Sequence, residues 1–415
     1  MSFRPVLSGL IAALLPWMAA LQIAAAEPQL ANSPWPMFMH DSRHTGRATV
    51  NGPSTNAVQV LWSYKALSRI KTSPSIGEDG TIYFGAGFSP LCAVNHTTGA
   101  LKWCTEGGGD ASVSSPTIAS DGTIYMGARD NKLWAVRDNG PGAPLVLWRY
   151  KIFLDGDILS SPAIDPLGDA IYMSCGCLST GFVHAMNPTA PPTGELLWKL
   201  QIPKSTRTSA PAIDVTGGPY QGTLYTGSTD GSLSAFNTRS SGVPVGTLKW
   251  TVPLGGKSTR NNSSPLLRDD GSICMGTTEG VVCVDPSDGH ILPGWPFYGG
   301  GQVSATPALG ADGTLYFGTE KGIFYAVNPN GSLKWSMADL GRFRSSPAIG
   351  ANGKIYTAGG KTIYCLNDNG AAGSVQWTYV TGKPIQWSSP AIGANQMLYI
   401  GSTDHYVYAF KEQVP

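Results

Sequence analysis

The chain repeats one pattern eight times, and a repeat of this length leaves few folds open. Each copy starts with a small residue and a proline and then carries a Gly-rich turn, and in seven of the eight copies a hydrophobic residue and a tyrosine follow. The prolines are separated by roughly 40–54 residues, the length of one four-stranded propeller blade. They are Pro74, Pro116, Pro162, Pro211, Pro265, Pro307, Pro347 and Pro390. One such unit cannot bury its own faces, so the copies must pack on one another.

The composition agrees with a packed all-β protein. Only 13% of the 415 residues are charged, while there are 52 glycines and 31 prolines, which suits many tight turns. A hydrophobic content of 42% is too high for a disordered chain. The net charge of +1 provides no overall field for nucleic acid or an anionic membrane.

Within each copy the hydrophobic period is two, as in a strand. The proline starts the first strand, where a missing ladder donor is tolerated, and Asp-Gly or Asn-Gly pairs provide hairpin turns. The second strand is marked by Tyr83, Tyr125, Tyr172, Tyr225, Tyr316, Tyr356 and Tyr399. The third carries alanine, and the fourth is marked by Trp103, Trp148, Trp198, Trp250, Trp295, Trp335 and Trp377.

Eight copies start with a proline, but only seven of them end in a strand marked by tryptophan, and this difference predicts how the ring closes. The missing strand lies ahead of the first copy, in the segment around Trp62. We therefore predict an all-β fold, an eight-bladed β-propeller of four-stranded blades whose last blade is closed by the N-terminal strand. Such closure hides both sheet edges.

The N-terminus has the features of an export signal. Arg4 precedes an apolar run that ends in Ala24-Ala25-Ala26, which predicts a signal peptide over residues 1–26. An uncleaved membrane anchor is the alternative, since the run is nearly long enough to span a bilayer. We expect a cap segment over residues 27–57, an eight-bladed propeller over 58–415, and a secreted or periplasmic protein.

Two pairs of cysteines break the repeat in ways that predict disulfides. Cys92 and Cys104 flank a turn almost symmetrically, and Cys274 and Cys283 replace the usual tyrosine and alanine of one copy. Cys365 occupies an alanine position, which indicates a buried thiol. With seven cysteines in the chain, at least one stays unpaired.

A set of mostly charged residues lies a few positions ahead of the prolines and should ring the mouth of the central funnel. Its members are Arg69, Lys71, Asp110, Asp157, Arg207, Arg260, Arg342, Arg344 and Trp387. The excess of cations predicts a site for an anionic ligand or an acidic peptide. The alternative is a rim that is polar only because it is solvated.

His40 and His44 flank Asp41 at a spacing that would suit a metal on a helix. Pro34 and Pro36 upstream favour a turn instead. We expect these histidines to belong to a structural cap and predict no metal site. The serines beside the prolines are expected to pack at the crowded axis and not to act as nucleophiles.

The segment AVNHTTGALKW, with Ala93, Asn95, Thr98, Gly99 and Trp103, resembles the tryptophan-docking motif of the pyrroloquinoline-quinone-like (quinoprotein-type) β-propeller repeat family. The resemblance covers about residues 58–410, and PWPMFMHDSRHTG resembles the segment that precedes the propeller in that family. The resemblance implies one of two kinds of protein. One is a dehydrogenase that binds pyrroloquinoline quinone (PQQ) and Ca²⁺ over the axis, and the other is a non-catalytic scaffold such as an outer-membrane assembly factor. The adjacent cysteine pair of the alcohol dehydrogenases is replaced here by Cys175-Gly-Cys177.

These features favour a non-catalytic binding or scaffold protein for a protein, peptide or glycan partner, with no catalytic residues and no cofactor. The alternative is a PQQ- and Ca²⁺-dependent dehydrogenase of alcohols or sugars. A glycan-binding or lyase-type propeller is a third hypothesis, which an exposed aromatic residue such as Trp387 would favour. We expect a monomer that has no nucleic-acid partner and, once mature, no transmembrane segment.

Overall fold

The computed structural model describes residues 29–87, 89–107, 113–140, 142–152, 158–165, 168–176, 180–189, 194–206, 208–240, 243–255, 263–394 and 396–413. Within these ranges the chain forms 31 strands and no helix, and all strand pairs in the sheets are antiparallel. Accordingly, this part of the chain has no helix long and apolar enough to cross a membrane. The predicted signal peptide, residues 1–26, lies outside the described residues.

The strands form eight sheets that follow one another along the chain as the blades of an eight-bladed β-propeller, as predicted. Blade 1 contains β2 (Ser75–Ile76), β3 (Ile82–Ala86), β4 (Ser89–Val94) and β5 (Leu101–Cys104). Blade 2 contains β6 (Thr117–Ile118), β7 (Thr123–Gly127), β8 (Lys132–Arg137) and β9 (Leu145–Lys151). Blade 3 contains β10 (Ala163–Ile164), β11 (Ile171–Gly176), β12 (Gly181–Asn187) and β13 (Glu195–Ile202). Blade 4 contains β14 (Ala212–Ile213), β15 (Thr223–Gly227), β16 (Ser232–Ser240) and β17 (Val243–Pro253).

The second half continues this order and ends by using the start of the chain. Blade 5 contains β18 (Leu266–Leu267), β19 (Ile273–Gly276) and β20 (Val281–Val284). Blade 6 contains β21 (Ala308–Leu309), β22 (Leu315–Gly318), β23 (Phe324–Val327) and β24 (Leu333–Met337). Blade 7 contains β25 (Ala348–Ile349), β26 (Ile355–Gly359), β27 (Thr362–Asp368) and β28 (Gly373–Val380). Blade 8 contains β29 (Ala391–Gly393), β30 (Met397–Gly401), β31 (Tyr406–Glu412) and β1 (Val58–Lys65).

The ring closes through β1, which confirms the predicted seam at Trp62. β1 pairs with β31 over nearly its whole length, and Trp62 lies opposite Ala409, the alanine of the last copy. The Trp62 side chain is 8% exposed, and its indole N–H donates to the His96 carbonyl of blade 1 at 2.7 Å. The seam therefore uses the same contacts that join neighbouring blades elsewhere.

Each four-stranded sheet carries an irregularity beside its tryptophan. In blade 1, Ala93 pairs with Trp103 but Val94 pairs with Leu101, so Lys102 is an extra residue in the fourth strand. The same shift recurs beside the tryptophans of β1, β9, β13, β17, β24 and β28. Because a bulge re-aims the adjacent side chains, the tryptophan can pack against the next blade.

Blade 5 departs from the prediction that every copy ends in a tryptophan strand. Its sheet has three strands, and Val281 and Val284 form only isolated bridges to Phe297 and Ile291 beyond it. Trp295 is still buried, at 7% exposure, but lies outside any strand. Since the run PGWP removes two backbone donors, a regular fourth strand cannot form there.

Both predicted disulfides are present. Cys92–Cys104 joins directly opposed residues of β4 and β5, and Cys274–Cys283 joins opposed residues of β19 and β20. Cys365 is a buried free thiol opposite Trp377, as expected for an alanine position. Cys175 is also buried, with its Sγ 3.8 Å from His184 Nδ1, while Cys177 lies outside the described residues.

Candidate binding site at the mouth of the channel

The serines beside each proline bind backbone groups around the propeller axis. In blade 2, the Ser114 hydroxyl accepts the Gly127 N–H of the same blade at 3.0 Å, while the Ser115 hydroxyl accepts the Ser73 N–H of blade 1 at 3.0 Å. The second contact repeats between neighbouring blades at Ser161, Ser264, Thr306, Ser346, Ser389 and Ser73. The small hydroxyl residues therefore hold the innermost strands together, and Ala210 is the position where this hydroxyl ring lacks an oxygen.

One end of the channel is covered by residues 29–50, here called the cap. Its carbonyls accept N–H groups from the second residue after the proline in six blades. These pairs are Ile76 to Trp35, Ile118 to Pro36, Ile213 to Ser42, Leu267 to Arg43, Leu309 to Thr45 and Ile349 to Gly46, at 2.7–3.0 Å. The cap thus runs across the ends of the innermost strands as a shared partner for their backbone donors.

His44 is fully buried inside the cap. Its Nδ1 lies 2.9 Å from the Pro265 carbonyl, which can only accept, so Nδ1 carries the proton. Burial lowers the pKa of His44 to about 4, although the Pro265 carbonyl and the Asp41 charge act in the opposite direction. His40 contacts Asp41 instead, with its Nδ1 3.4 Å from the carboxylate. The two histidines therefore have different partners.

At the other end, where the innermost strands begin, three of the predicted rim residues come together. The Lys71 ammonium and the Arg344 guanidinium each lie 5.4 Å from the centre of the Trp387 ring. Such cation–π contacts are electrostatically favourable. Trp387 has a backbone φ of 65°, which is a strained conformation for a bulky residue. We call this open end the mouth.

A single carboxylate connects Arg344 to a further predicted rim residue. Glu320, in the loop between β22 and β23, contacts Arg344 Nε at 2.8 Å and Arg342 Nε at 2.9 Å. The Ser304 hydroxyl also donates to Glu320 at 3.0 Å. Arg342 is 61% exposed, so it presents its charge at the surface of the mouth.

Below the mouth, a cavity of about 30 Å³ lies on the channel axis. Phe38 of the cap lines it together with Ser115, Ser161, Thr306 and Ser346 of the hydroxyl ring, and Arg344 and Trp387 line it as well. No carboxylate is among its lining residues in the described part of the chain. The cavity therefore joins the hydroxyl ring to the cationic mouth.

The remaining rim predictions divide into two groups. Arg69 is exposed, but no described contact links it to Trp387. Asp110, Asp157, Arg207 and Arg260 lie outside the described residues. Sequence reasoning placed the serines beside the prolines at the axis but missed Glu320 and Phe38. In each blade the loop between the second and third strands lies on the same side as the rim. A charged residue in that loop, such as Glu320, could therefore have been predicted to reach the rim.

One group of described residues has a geometry that metal ions use. Asp285, Asp288 and His290 lie in the turn after β20, with their ligand atoms within 4.8 Å of one another. Asp288 and His290 are exposed, and the Asp288 carboxylate raises the pKa of the His290 ring, which lies 2.7 Å from it. This ion pair is sufficient to explain the arrangement without a metal.

Three solved structures have similar folds. A quinohemoprotein alcohol dehydrogenase from Comamonas testosteroni is 14% identical, with a TM-score of 0.71, and the match covers 92% of this chain and 81% of that chain. BamB from Moraxella catarrhalis is 16% identical, with a TM-score of 0.63 and coverages of 85% and 99%. A europium-containing methanol dehydrogenase is 12% identical, with a TM-score of 0.68 and coverages of 94% and 98%. At these identities the likeness shows the fold alone.

A search of curated protein sequences found no significant match. A family model described as outer membrane protein assembly factor BamB matches residues 48–294 and 293–413, which together cover most of the chain. This match includes every described blade and agrees with the tryptophan-docking contacts. The chain therefore belongs to the PQQ-like β-propeller family represented by that BamB family model.

Proposed function

We propose that this protein is an exported, non-catalytic scaffold that binds a protein or peptide partner at the mouth of its channel. The observation that carries the proposal is the convergence of Lys71, Arg344 and Trp387 at the mouth. Arg342 adds an exposed charge beside them. Aromatic and arginine side chains are enriched among the residues that dominate protein interfaces.

The difference between the two ends of the channel supports this choice of surface. The cap satisfies backbone donors of six blades and so closes its end with the chain's own atoms. Among the described residues of the mouth, two arginines share the carboxylate of Glu320, which leaves an excess of positive charge there. An acidic segment of a partner would complement that excess.

Quinone-dependent dehydrogenation is the second candidate, because two of the similar structures are dehydrogenases. The described axial residues do not fit that cofactor. The cavity has a volume of about 30 Å³, whereas sites for small organic ligands measure roughly 300–1,000 Å³. Ca²⁺ takes several oxygen ligands, carboxylates prominent among them, and Glu320 is already bound to two arginines.

Export is supported by the apolar N-terminal run and by the two disulfides, because disulfides persist in oxidising compartments. The family model that matches the chain is described as an outer membrane protein assembly factor. Together, these observations favour a scaffold role in the cell envelope.

The test is capture of an envelope protein by wild-type protein and by two variants, followed by binding measurements with the purified partner. Replacing Arg342 and Arg344 with alanine should abolish capture. Arg137→Ala removes a partly exposed charge at the cap end and should leave capture unchanged. Equal capture by both variants would contradict the proposal. So would reduction of an artificial electron acceptor that depends on added PQQ and Ca²⁺.

A further inference from the structure

The cavity on the axis is lined by hydrogen-bond donors that have no acceptor among the described residues. Each hydroxyl of the ring already accepts one backbone N–H from the preceding blade, as Ser346 does from Thr306 at 3.0 Å. A serine or threonine hydroxyl also has one proton to donate. None of the four ring hydroxyls that line the cavity has a described acceptor for that proton. These four are Ser115, Ser161, Thr306 and Ser346, all at most 5% exposed.

Trp387 adds a second and independent donor. Its side chain lines the cavity, and its indole Nε1 is buried without a hydrogen-bond partner among the described residues. A buried polar group without a partner is destabilising by about 1–3 kcal/mol, so an unpartnered N–H at a cavity wall indicates a missing acceptor. The backbone of Trp387 is itself strained, with a φ of 65°.

Arg344 supplies a positive charge to the same cavity. Its Nε is bound to Glu320, while its terminal nitrogens have no described partner. Arginine presents several donors in a fixed fork, which suits a carboxylate. Glu320 itself accepts from Arg342, Arg344 and Ser304, so its oxygens are already used.

We propose that the axial cavity is a socket for one small anionic group, and that its natural occupant is a carboxylate of the partner. The second half of this proposal rests on the proposed function, while the first half does not. The chemistry follows from the wall: hydroxyl, indole and guanidinium donors line the cavity, and no carboxylate is among its described lining residues to balance the charge of Arg344. A single carboxylate or halide satisfies these donors and also balances the charge of Arg344, whereas a neutral group satisfies the donors only and a cation satisfies neither.

The size of the cavity restricts the occupant to a terminal group. A volume of about 30 Å³ exceeds the roughly 10–15 Å³ that one water requires, but is far below that of a drug-sized ligand. The rest of a partner would therefore remain outside, in contact with Arg342 and Lys71 at the mouth. On the side of the cap, Phe38 lines the cavity.

The first experiment uses bromide as the probe of the full-length mature protein. Crystals soaked in sodium bromide should show an anomalous peak on the axis, within hydrogen-bond distance of the ring hydroxyls. Bromide line widths in solution NMR then give the affinity. Absence of both the peak and the line broadening, with only water on the axis, would overturn the socket, whatever partner the mouth binds.

Two variants separate the socket from a general effect on folding. Trp387→Phe removes the indole N–H but keeps an aromatic ring, and should weaken bromide binding about tenfold, as expected for one hydrogen bond to a charged group. Trp35→Phe removes another buried indole N–H without a partner, but in the cap, and should leave bromide binding unchanged. Equal affinities in both variants would contradict the assignment.

The second experiment distinguishes a carboxylate from other anions and from neutral groups. Formate should displace bromide, whereas formamide, which has a similar shape and no charge, should not. Equal displacement by both compounds would overturn the proposal that charge is recognised. If bromide binds but Trp387→Phe leaves partner affinity unchanged, the anion socket stands and the partner's carboxylate is excluded as its occupant.

Discussion

The two ends of one channel meet the same demand for hydrogen-bond acceptors in opposite ways. At the cap, the N–H groups beyond the proline in six blades find carbonyls from residues 35–46 of the same chain. At the mouth, hydroxyl protons of the ring and the Trp387 N–H find no described acceptor. The repeat thus generates donors at both ends, and among the described residues only the cap end provides their acceptors.

The contacts at the two ends also differ in kind. The cap holds the innermost strands mainly through backbone hydrogen bonds, and its most buried side chains include the apolar Trp35, Met37 and Met39, at most 1% exposed. The mouth relies on charged and aromatic side chains, of which Arg342 is largely exposed. Burial should therefore make the cap a stability element, while the mouth should contribute little to folding and more to binding.

Trp35→Ala should give the largest effect and would test this division directly. Removal of a fully buried tryptophan is expected to lower the free energy of unfolding by about 3–5 kcal/mol. Trp387→Ala, at the mouth, should change it by less than about 1 kcal/mol, as for other partly exposed positions. Urea denaturation of both variants measures the difference. Similar losses in the two variants would show that the ends do not differ in this way.

The cap should also make stability depend on pH through His44. Burial lowers its pKa from 6.5 to about 4, so the unfolded state binds the proton more readily between these values. Stability is therefore retained above pH 6.5 and lost as the pH falls towards 4. The expected loss is about 3 kcal/mol, since one pKa unit corresponds to about 1.4 kcal/mol.

His44→Asn isolates this contribution. Asparagine can donate to the Pro265 carbonyl, tolerates the φ of 59° at this position and does not titrate. The difference in unfolding free energy between wild type and variant should be constant above pH 7 and change by about 3 kcal/mol by pH 4. A difference that stays constant over the whole range would show that His44 is not responsible. His184, a second buried histidine, is unchanged in this comparison.

Gly46→Ala should have an intermediate effect. Gly46 has a φ of 64°, and an added Cβ would lie 2.7 Å from Met39 Cε and 3.0 Å from the Pro347 carbonyl oxygen. The left-handed backbone alone costs about 1–2 kcal/mol, and these contacts should add to it. Gly353→Ala is the matched control, because its φ is 74° and nothing lies within 4 Å of the added Cβ. Thermal unfolding should show a larger loss for Gly46→Ala, and equal losses would exclude tight packing of the cap.

The periodic part of the fold could be predicted because every blade packs on its neighbours through the same kinds of residue. Tyrosine, alanine and tryptophan recur at fixed positions, as Tyr83, Ala93 and Trp103 do in blade 1, so their strands and register follow from the repeat. Both disulfides could be predicted from local pattern. Cys92 and Cys104 flank a turn, and Cys274 and Cys283 replace a tyrosine and an alanine that lie opposite each other.

The cap contacts could not be predicted in the same way. They join backbone groups, which every residue has. The amino-acid types of residues 29–50 therefore do not indicate which blades this segment contacts. In blade 5, prolines on both sides of Trp295 prevent the fourth strand that the tryptophan alone indicated. Glu320 was missed because its role depends on two arginines that approach it from a different loop.

Glu320→Gln should give the smallest effect on stability and the clearest effect on binding. Its carboxylate is paired with Arg342 and Arg344, and partly exposed ion pairs contribute only about 0.2–1 kcal/mol. The substitution keeps the shape of the side chain while it removes the one negative charge that the mouth arginines share. Bromide affinity should therefore rise severalfold, because Glu320 no longer competes with the anion for Arg344. The salt dependence of partner binding should steepen for the same reason. An unchanged or weaker bromide affinity would contradict this expectation. It would mean that the ion pair with Glu320 holds Arg344 in the orientation that binds the anion, so that this orientation matters more than the positive charge gained by removing the carboxylate.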